Sequence, residues 1–489
     1  MTPAAPSPAV PAATPVTPSK RSNPTNPTNP SNRSNRSTPS SPSSPTSGTK
    51  PISPPAPGPG ADRVAELVAE LAATTSRPWT LMEVCGGQTH AIVRWGLDQL
   101  LPPGLRLLHG PGCPVCVTPA ETIDQALELA RRPEVILCSY GDMLRVPGSG
   151  ASADGGLGLL GARAAGGDVR LLTSPLQALD LARAEPQRQV VFLAVGFETT
   201  APATALLAHQ ARAWGLANLS LLVAHVRVTP AMDAILAGAD EQPGPLDGAD
   251  PSGLPAPAPG GQSPATGPHP PNLDPGVQGF LAAGHVAAVL GTDDLADLVR
   301  RRRRPVVVTG FEAADLLAGI LRCVQLLEAG TPELANAYGR VVRPGGNPAA
   351  RALLERVFQV VDQPWRGLGP IAGGGLALAP AYAQLDARAR FGLASLGDAP
   401  QLATGLGSRG RGRGPAQGNL AAAAPVAGQP NPPGQPANPC ISGAILRGRA
   451  TPPDCPAFGG ACTPERPLGA PMVSSEGACA AYYRYRRHG

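Results

Sequence analysis

No stretch of the 489-residue chain is apolar for long enough to span a bilayer. The N-terminus lacks the apolar core of a secretory signal. Lys20 and Arg21 follow a Pro-rich stretch and precede an Asn/Pro/Ser/Arg repeat. A cytoplasmic location is therefore expected. Nor does the chain lean strongly toward one charge. Its net charge is +5, much of it in the run Arg300 to Arg304 and the tail Arg484, Arg486 and Arg487. Such runs are ordinarily solvated faces, so nucleic-acid binding is not favoured. The G-x-x-x-x-G-K-[ST] spacing is absent and no convincing G-x-G-x-x-G appears, which removes the usual phosphate-cradling loops.

What is present is unevenly distributed. Residues 1–60 are almost entirely Pro, Ser, Thr, Asn and Ala, and 239–275 and 398–438 are rich in Pro, Gly and Ala. Such stretches cannot bury enough apolar surface to offset their ordering entropy. The expectation is a disordered tail (1–60), a first α/β region (61–238), an insertion (239–275), a second α/β region (276–397), a linker (398–438) and a small Cys-rich region (439–489). A piece as small as the last needs a staple such as a metal.

The folded part opens with a helix that Asp62 can cap, with Val64, Leu67, Val68 and Leu71 on one stripe. Short apolar runs then recur at Val135–Cys138, Val190–Val195, Leu219–Ala224, Val286–Leu290 and Val306–Thr309, as suits strands buried on both faces. Helical patterns alternate with them. One starts at Ser174-Pro175, and another carries Leu316, Leu317, Ile320, Leu321, Val324 and Leu327. The alternation predicts α/β architecture with mainly parallel sheets. Val195-Gly196-Phe197-Glu198 is echoed by Thr309-Gly310-Phe311-Glu312, either as two halves of related design or by coincidence.

Nine cysteines in a reducing compartment point to metal or redox chemistry rather than a disulfide framework. Cys138 and Cys323 fall on apolar faces and read as core. Cys85 follows a strand end and precedes Gly86-Gly87, which let another molecule approach the sulfur closely. A thiolate there suits iron or copper, and His90 offers an acid, base or hydrogen-bond partner. A buried Cys before a glycine turn is the plainer alternative. Cys113 and Cys116 form a C-x-x-C ahead of a helix announced by Thr118, Pro119 and Glu121. The pair suits reversible disulfide formation or a metal, half of a zinc site included. Cys440, Cys455, Cys462 and Cys479 can hold a [4Fe–4S] cluster or a zinc, and their wide spacing leans toward iron–sulfur. Two further loops follow strand ends: Ser139 to Gly148, with Asp142 and Arg145 in reach of an ion pair, and Gly196 to Pro202, with Thr200 a candidate cap.

The chain resembles the hydrogenase maturation factor family HypD. The matching stretches are M-E-V-C-G-G-Q-T-H at 82–90, H-G-P-G-C-P-V-C-V-T-P at 109–119, Y-G-D-M-L-R-V-P-G at 140–148 and V-G-F-E-T-T-A-P at 195–202. D-C-P-A-F-G at 454–459, C-T-P-E-R-P at 462–467 and M-V-S-S-E-G-A-C-A-A-Y-Y at 472–483 complete the set. The resemblance implies two Rossmann-like parallel-sheet domains of related design plus a small C-terminal [4Fe–4S] region. It implies work with a small chaperone, HypC, holding Fe(2+) while it acquires two cyanides and one carbon monoxide. A HypE-type partner would supply cyanide as a thiocyanate, and the finished unit would pass to the hydrogenase large subunit. Carried over, Cys85 is the expected iron ligand with His90 assisting. Cys113 and Cys116 are iron-site or redox thiols, and Cys440, Cys455, Cys462 and Cys479 are the cluster ligands. A stand-alone thiol–disulfide oxidoreductase and a zinc-stabilised partner-binding scaffold are the rival classes.

Overall fold

The computed structural model describes residues 59–149, 158–240, 276–394 and 439–486. The expected disordered tail, insertion and linker lie almost wholly outside the described residues.

The strands, in chain order, are β1 (Trp79–Glu83), β2 (Leu105–His109), β3 (Val135–Ser139), β4 (Val169–Leu171), β5 (Gln189–Gly196), β6 (Leu219–His225), β7 (Gly279–Ala283), β8 (Val306–Thr309), β9 (Leu334–Asn336), β10 (Phe358–Trp365) and β11 (Gly369–Leu378). They form two wholly parallel sheets, β2-β1-β7-β8-β9 and β4-β3-β5-β6, and one antiparallel hairpin, β10-β11. The α/β class with parallel sheets is as expected. Sheet membership cuts across the order of the chain, because β1 and β2, from 61–238, join the sheet of 276–397.

Helices cover both faces of each sheet, which is why the strands are continuously apolar. Successive side chains alternate between faces. Leu137, Val191, Leu193 and Leu222 pack into one core, and Ile136, Cys138, Val190 and Phe192 into another. In the other sheet Leu81, Leu281 and Val307 meet Leu67, Leu71, Ile320 and Cys323, while Met82, Phe280 and Val308 face the opposite core. Each fully buried Leu or Phe contributes about 1.5–3 kcal/mol. Cys138 and Cys323 are core residues with no exposed surface.

Several local expectations change. Val286–Leu290 is part of the helix Gly284–Leu290, and the strand lies just before it, as β7. Asp62 falls in the first turn of the helix Pro59–Thr74, not at its cap. The helix after the C-x-x-C starts at Ala120, and the Thr118 hydroxyl donates back to the Pro114 carbonyl at 2.9 Å, so no capping box forms. Thr200 stands at the cap of the helix Ala201–Ala213, but its hydroxyl donates to the Phe197 carbonyl. In both cases a preceding turn of chain offers the hydroxyl a nearer acceptor. The Gly-Phe-Glu echo occupies equivalent strand-to-helix turns, after β5 and after β8.

The Arg run is partly engaged: Arg301 and Arg302 both close on Asp233 at 2.5 Å. Among the described residues, no helix is long and apolar enough to cross a membrane.

Candidate metal and thiol site

Register creates the site. β1 and β2 are parallel neighbours with Glu83 opposite His109, so their outgoing loops leave the same sheet edge side by side. The first loop carries Cys85 and the second carries Cys113 and Cys116. Two backbone bonds fasten them: Gly86 N–H donates to the Gly112 carbonyl and Gly110 N–H to the Glu83 carbonyl, both at 2.8 Å. A Cβ on Gly112 would lie 2.2 Å from Cys85 N and 2.4 Å from its Cα. Only glycine permits that approach.

Cys113 and Cys116 are joined as a disulfide with Cα atoms 5.3 Å apart, and both are almost fully buried. Cys113 caps a single helical turn, Pro114–Val117, its sulfur accepting the Cys116 N–H at 3.2 Å. Cys116 therefore lies inside a short turn, ahead of the longer helix.

Beneath the loops sits Glu83, fully buried. Its carboxylate accepts the Cys85 N–H at 2.9 Å, the Thr89 hydroxyl at 2.5 Å and His109 Nδ1 at 2.7 Å. His109 Nε2 faces the Tyr482 hydroxyl at 3.4 Å. This carboxylate fixes both loops at once and was missed in the sequence. A lone Glu ending an otherwise apolar strand was the available signal.

Cys85 is partly exposed, yet its thiol is desolvated. Burial pushes it up to about 12, while the Gln88 and Gly87 N–H groups pull in the opposite direction. Those N–H groups belong to the start of the helix Gly86–Trp95 and stabilise negative charge on sulfur. With no cation nearby the group stays a thiol.

The C-terminal region closes over both loops. His90 places Nδ1 3.2 Å from the Ser475 carbonyl and Nε2 3.3 Å from the Tyr485 hydroxyl, so both ring nitrogens are engaged. Asp142 and Arg145 do not pair with each other. Asp142 accepts the Ser474 hydroxyl at 2.6 Å, and Arg145 donates to the Pro464 and Val473 carbonyls at 2.7 and 3.1 Å. A Cβ on Gly86 would meet Glu476 at 2.4 Å. Burial raises the Glu476 carboxyl, and the Asp142 charge adds to the effect. A cleft of about 600 Å³ runs past Pro114 and Val115, with Asp142, Gly196, Thr200 and Glu476 among its other walls.

Cys455, Cys462 and Cys479 pack in one small core with Ile445 and Met472, and Cys440 is within charge range of all three. Burial raises the Cys440 and Cys479 thiols, and the neighbouring sulfurs add to it. The Leu468 N–H donates to Cys462 sulfur at 3.3 Å. Four thiols that disfavour one another's charge suit a cationic centre, so the donor set fits an iron–sulfur cluster or zinc. Among the described residues no group of three or more His, Cys, Asp or Glu is already arranged to hold a metal ion. The turn Ala470–Met472 joins the two centres: Ala470 and Val473 pack with the Cys113–Cys116 core, and Met472 packs with the core of Cys455, Cys462 and Cys479.

A family model described as "Hydrogenase formation hypA family", under the name HypD, matches residues 61–248, 271–405 and 421–486. The chain belongs to the HypD family. It is 42% identical over 425 residues to the hydrogenase maturation factor HypD of Azotobacter vinelandii, covering 86% of this chain and 94% of that protein. It is 39% identical over 427 residues to the factor of the same name from Escherichia coli K12, covering 87% and 94%. The Rhodobacter capsulatus factor is 38% identical over 423 residues, covering 86% and 93%. As a HypD-family protein the chain acts in hydrogenase maturation, which implies work alongside other parts of that machinery.

Proposed function

We propose that the chain is the scaffold on which a hydrogenase iron acquires its diatomic ligands. Cys85 and a cysteine of a small HypC-type chaperone hold Fe(2+), the cargo, while two cyanides and one carbon monoxide are added. The observation that carries this reading is the fastening of the Cys85 loop to the Cys113–Cys116 loop through Gly112. It brings the Cys85 loop beside the disulfide, which supports reading Cys85 as the iron ligand and the pair as its two-electron couple.

Delivery of cyanide from a thiocyanate on a HypE-type partner is a reduction. The sulfur–carbon bond breaks, cyanide leaves to iron, and the donor sulfur departs as a thiol. The Cys113 and Cys116 thiols supply the two electrons and that proton, close to the disulfide, and release the second proton. The disulfide is then the spent form, and each further cyanide needs it reduced again. A [4Fe–4S] cluster on Cys440, Cys455, Cys462 and Cys479 would supply electrons one at a time, with the Ala470–Met472 turn packed between the two sites. His90 secures the C-terminal segment over the site.

The test is anaerobic co-expression with the small chaperone, metal and sulfide analysis, and an infrared spectrum. Cyanide and carbon monoxide bands that vanish in Cys85→Ala are expected, with full loading lost in Cys113→Ala. A colourless zinc protein without such bands would instead favour the scaffold alternative.

A further inference from the structure

The loop after β5 serves two cavities. Thr199 and Thr200 line the cleft beside the disulfide, whereas Glu198 lines a separate cavity of about 250 Å³. Its apolar wall includes Leu290, Leu354, Phe358 and Leu376. Glu198 is 3% exposed. One carboxyl oxygen accepts the Val228 N–H at 3.0 Å, and the other, Oε2, has no partner. A buried carboxyl with an unused oxygen is costly, and such groups are uncommon without a role.

The charges around it are unbalanced. Arg227 pairs with Asp294 at 2.8 Å and donates to the Gly373 carbonyl. Arg351 lies 3.7 Å from Asp293 and donates to the Gly345 carbonyl. These two guanidiniums face the carboxyls of Asp293, Asp294, Glu355 and Glu198 in the same walls, so the lining carries more carboxyls than guanidiniums.

We propose that this cavity binds a small organic cation, a protonated amine or amidinium on a short apolar body, with Glu198 as its counter-ion. The apolar wall takes the body and the carboxyl takes the charge, the division seen in pockets with few convergent polar groups. Burial lifts Glu198 to about 7, the Arg227 charge opposing and the Asp294 charge adding to it. Arg351 and Glu355 face the cavity from the helix Pro348–Val357, and Asp293 and Asp294 from the helix Asp293–Arg302. His225, behind the loop on β6, is pushed down to about 4 by burial and stays neutral. Binding should therefore strengthen as Glu198 ionises.

The experiment is calorimetric titration of the full chain with benzamidine and with its neutral isostere benzamide, at pH 6 and pH 8. Benzamidine should bind about tenfold more tightly at pH 8, following the ionised fraction of Glu198, and benzamide weakly at both. Glu198→Gln should remove the pH dependence and weaken benzamidine about tenfold. Leu376→Trp, which fills the cavity, should abolish binding and keeps the test decisive if the Gln variant does not fold. No benzamidine binding, equal binding of benzamide, or undiminished binding by either folded variant would overturn the proposal.

Discussion

Replacing Gly112 by Ala tests the central geometry with one methyl group. That carbon would sit 2.2 Å from Cys85 N, 2.4 Å from Cys85 Cα and 2.5 Å from the Val84 carbonyl carbon. All three are backbone atoms, so no side chain can swing aside. Restoring ordinary contact requires the two loops to part by roughly 1 Å, a shift that can cost on the order of 100-fold in rate at a preorganised site. The 2.8 Å bond from Gly86 N–H to the Gly112 carbonyl would be strained or lost. Overpacking and the lost bond together predict a destabilisation of about 2–4 kcal/mol. Gly339→Ala is the control, since its added carbon meets nothing within 4 Å. Urea unfolding and infrared detection of iron-bound cyanide should both report a defect in Gly112→Ala and none in Gly339→Ala. If Gly112→Ala unfolds with the control and loads cyanide at the wild-type rate, the coupling of the two loops is refuted.

Other consequences follow from the same contacts. Glu83→Ala strands the Cys85 N–H, Thr89 and His109 in a buried site and should cost about 3–5 kcal/mol in urea unfolding. With its thiol pushed up to about 12, Cys85 should alkylate with iodoacetamide at pH 8 roughly 30- to 100-fold more slowly than an ordinary cysteine, the smaller thiolate fraction being partly offset by a more basic thiolate, read by peptide mass spectrometry. His225 is held neutral in the fold at about 4 against 6.5 when exposed, so its contribution is present above pH 6.5 and lost as pH falls through 4. That loss should be about 3 kcal/mol in the wild type and absent in His225→Gln, measured by unfolding across that range. Arg145→Ala removes two guanidinium bonds to the C-terminal segment and should cost about 2 kcal/mol, with faster proteolysis within 439–486.

Much of the fold was legible because buried parallel strands are written as uninterrupted apolar runs. Val190–Val195, Leu219–Ala224 and Val306–Thr309 could hardly be anything else. Val286–Leu290 failed because five apolar residues carry no periodicity, and the real strand beside it, Gly279–Ala283, is diluted by Gly and Ala. The hairpin β10-β11 was hidden by its Pro and Gly residues, which a parallel-sheet reading treats as loop. The cysteines were recognisable individually by their neighbours. Their assembly was not, since Glu83–His109, His90–Ser475 and Asp142–Ser474 join residues distant in sequence by contacts with no local signature.

The placement of β1 between β2 and β7 has a consequence for biosynthesis. β2 follows β1 closely, so one edge of β1 is paired early. Its other edge awaits Gly279–Ala283, roughly 200 residues later, which at ordinary ribosomal speeds is a delay of roughly 10–40 s. During that interval a strand edge and the Cys85 thiol are displayed together on a nascent chain. On the proposed function, iron offered too soon would meet Cys85 before the second half of its sheet exists. A helper that shields this edge during translation would protect the strand and the thiol alike.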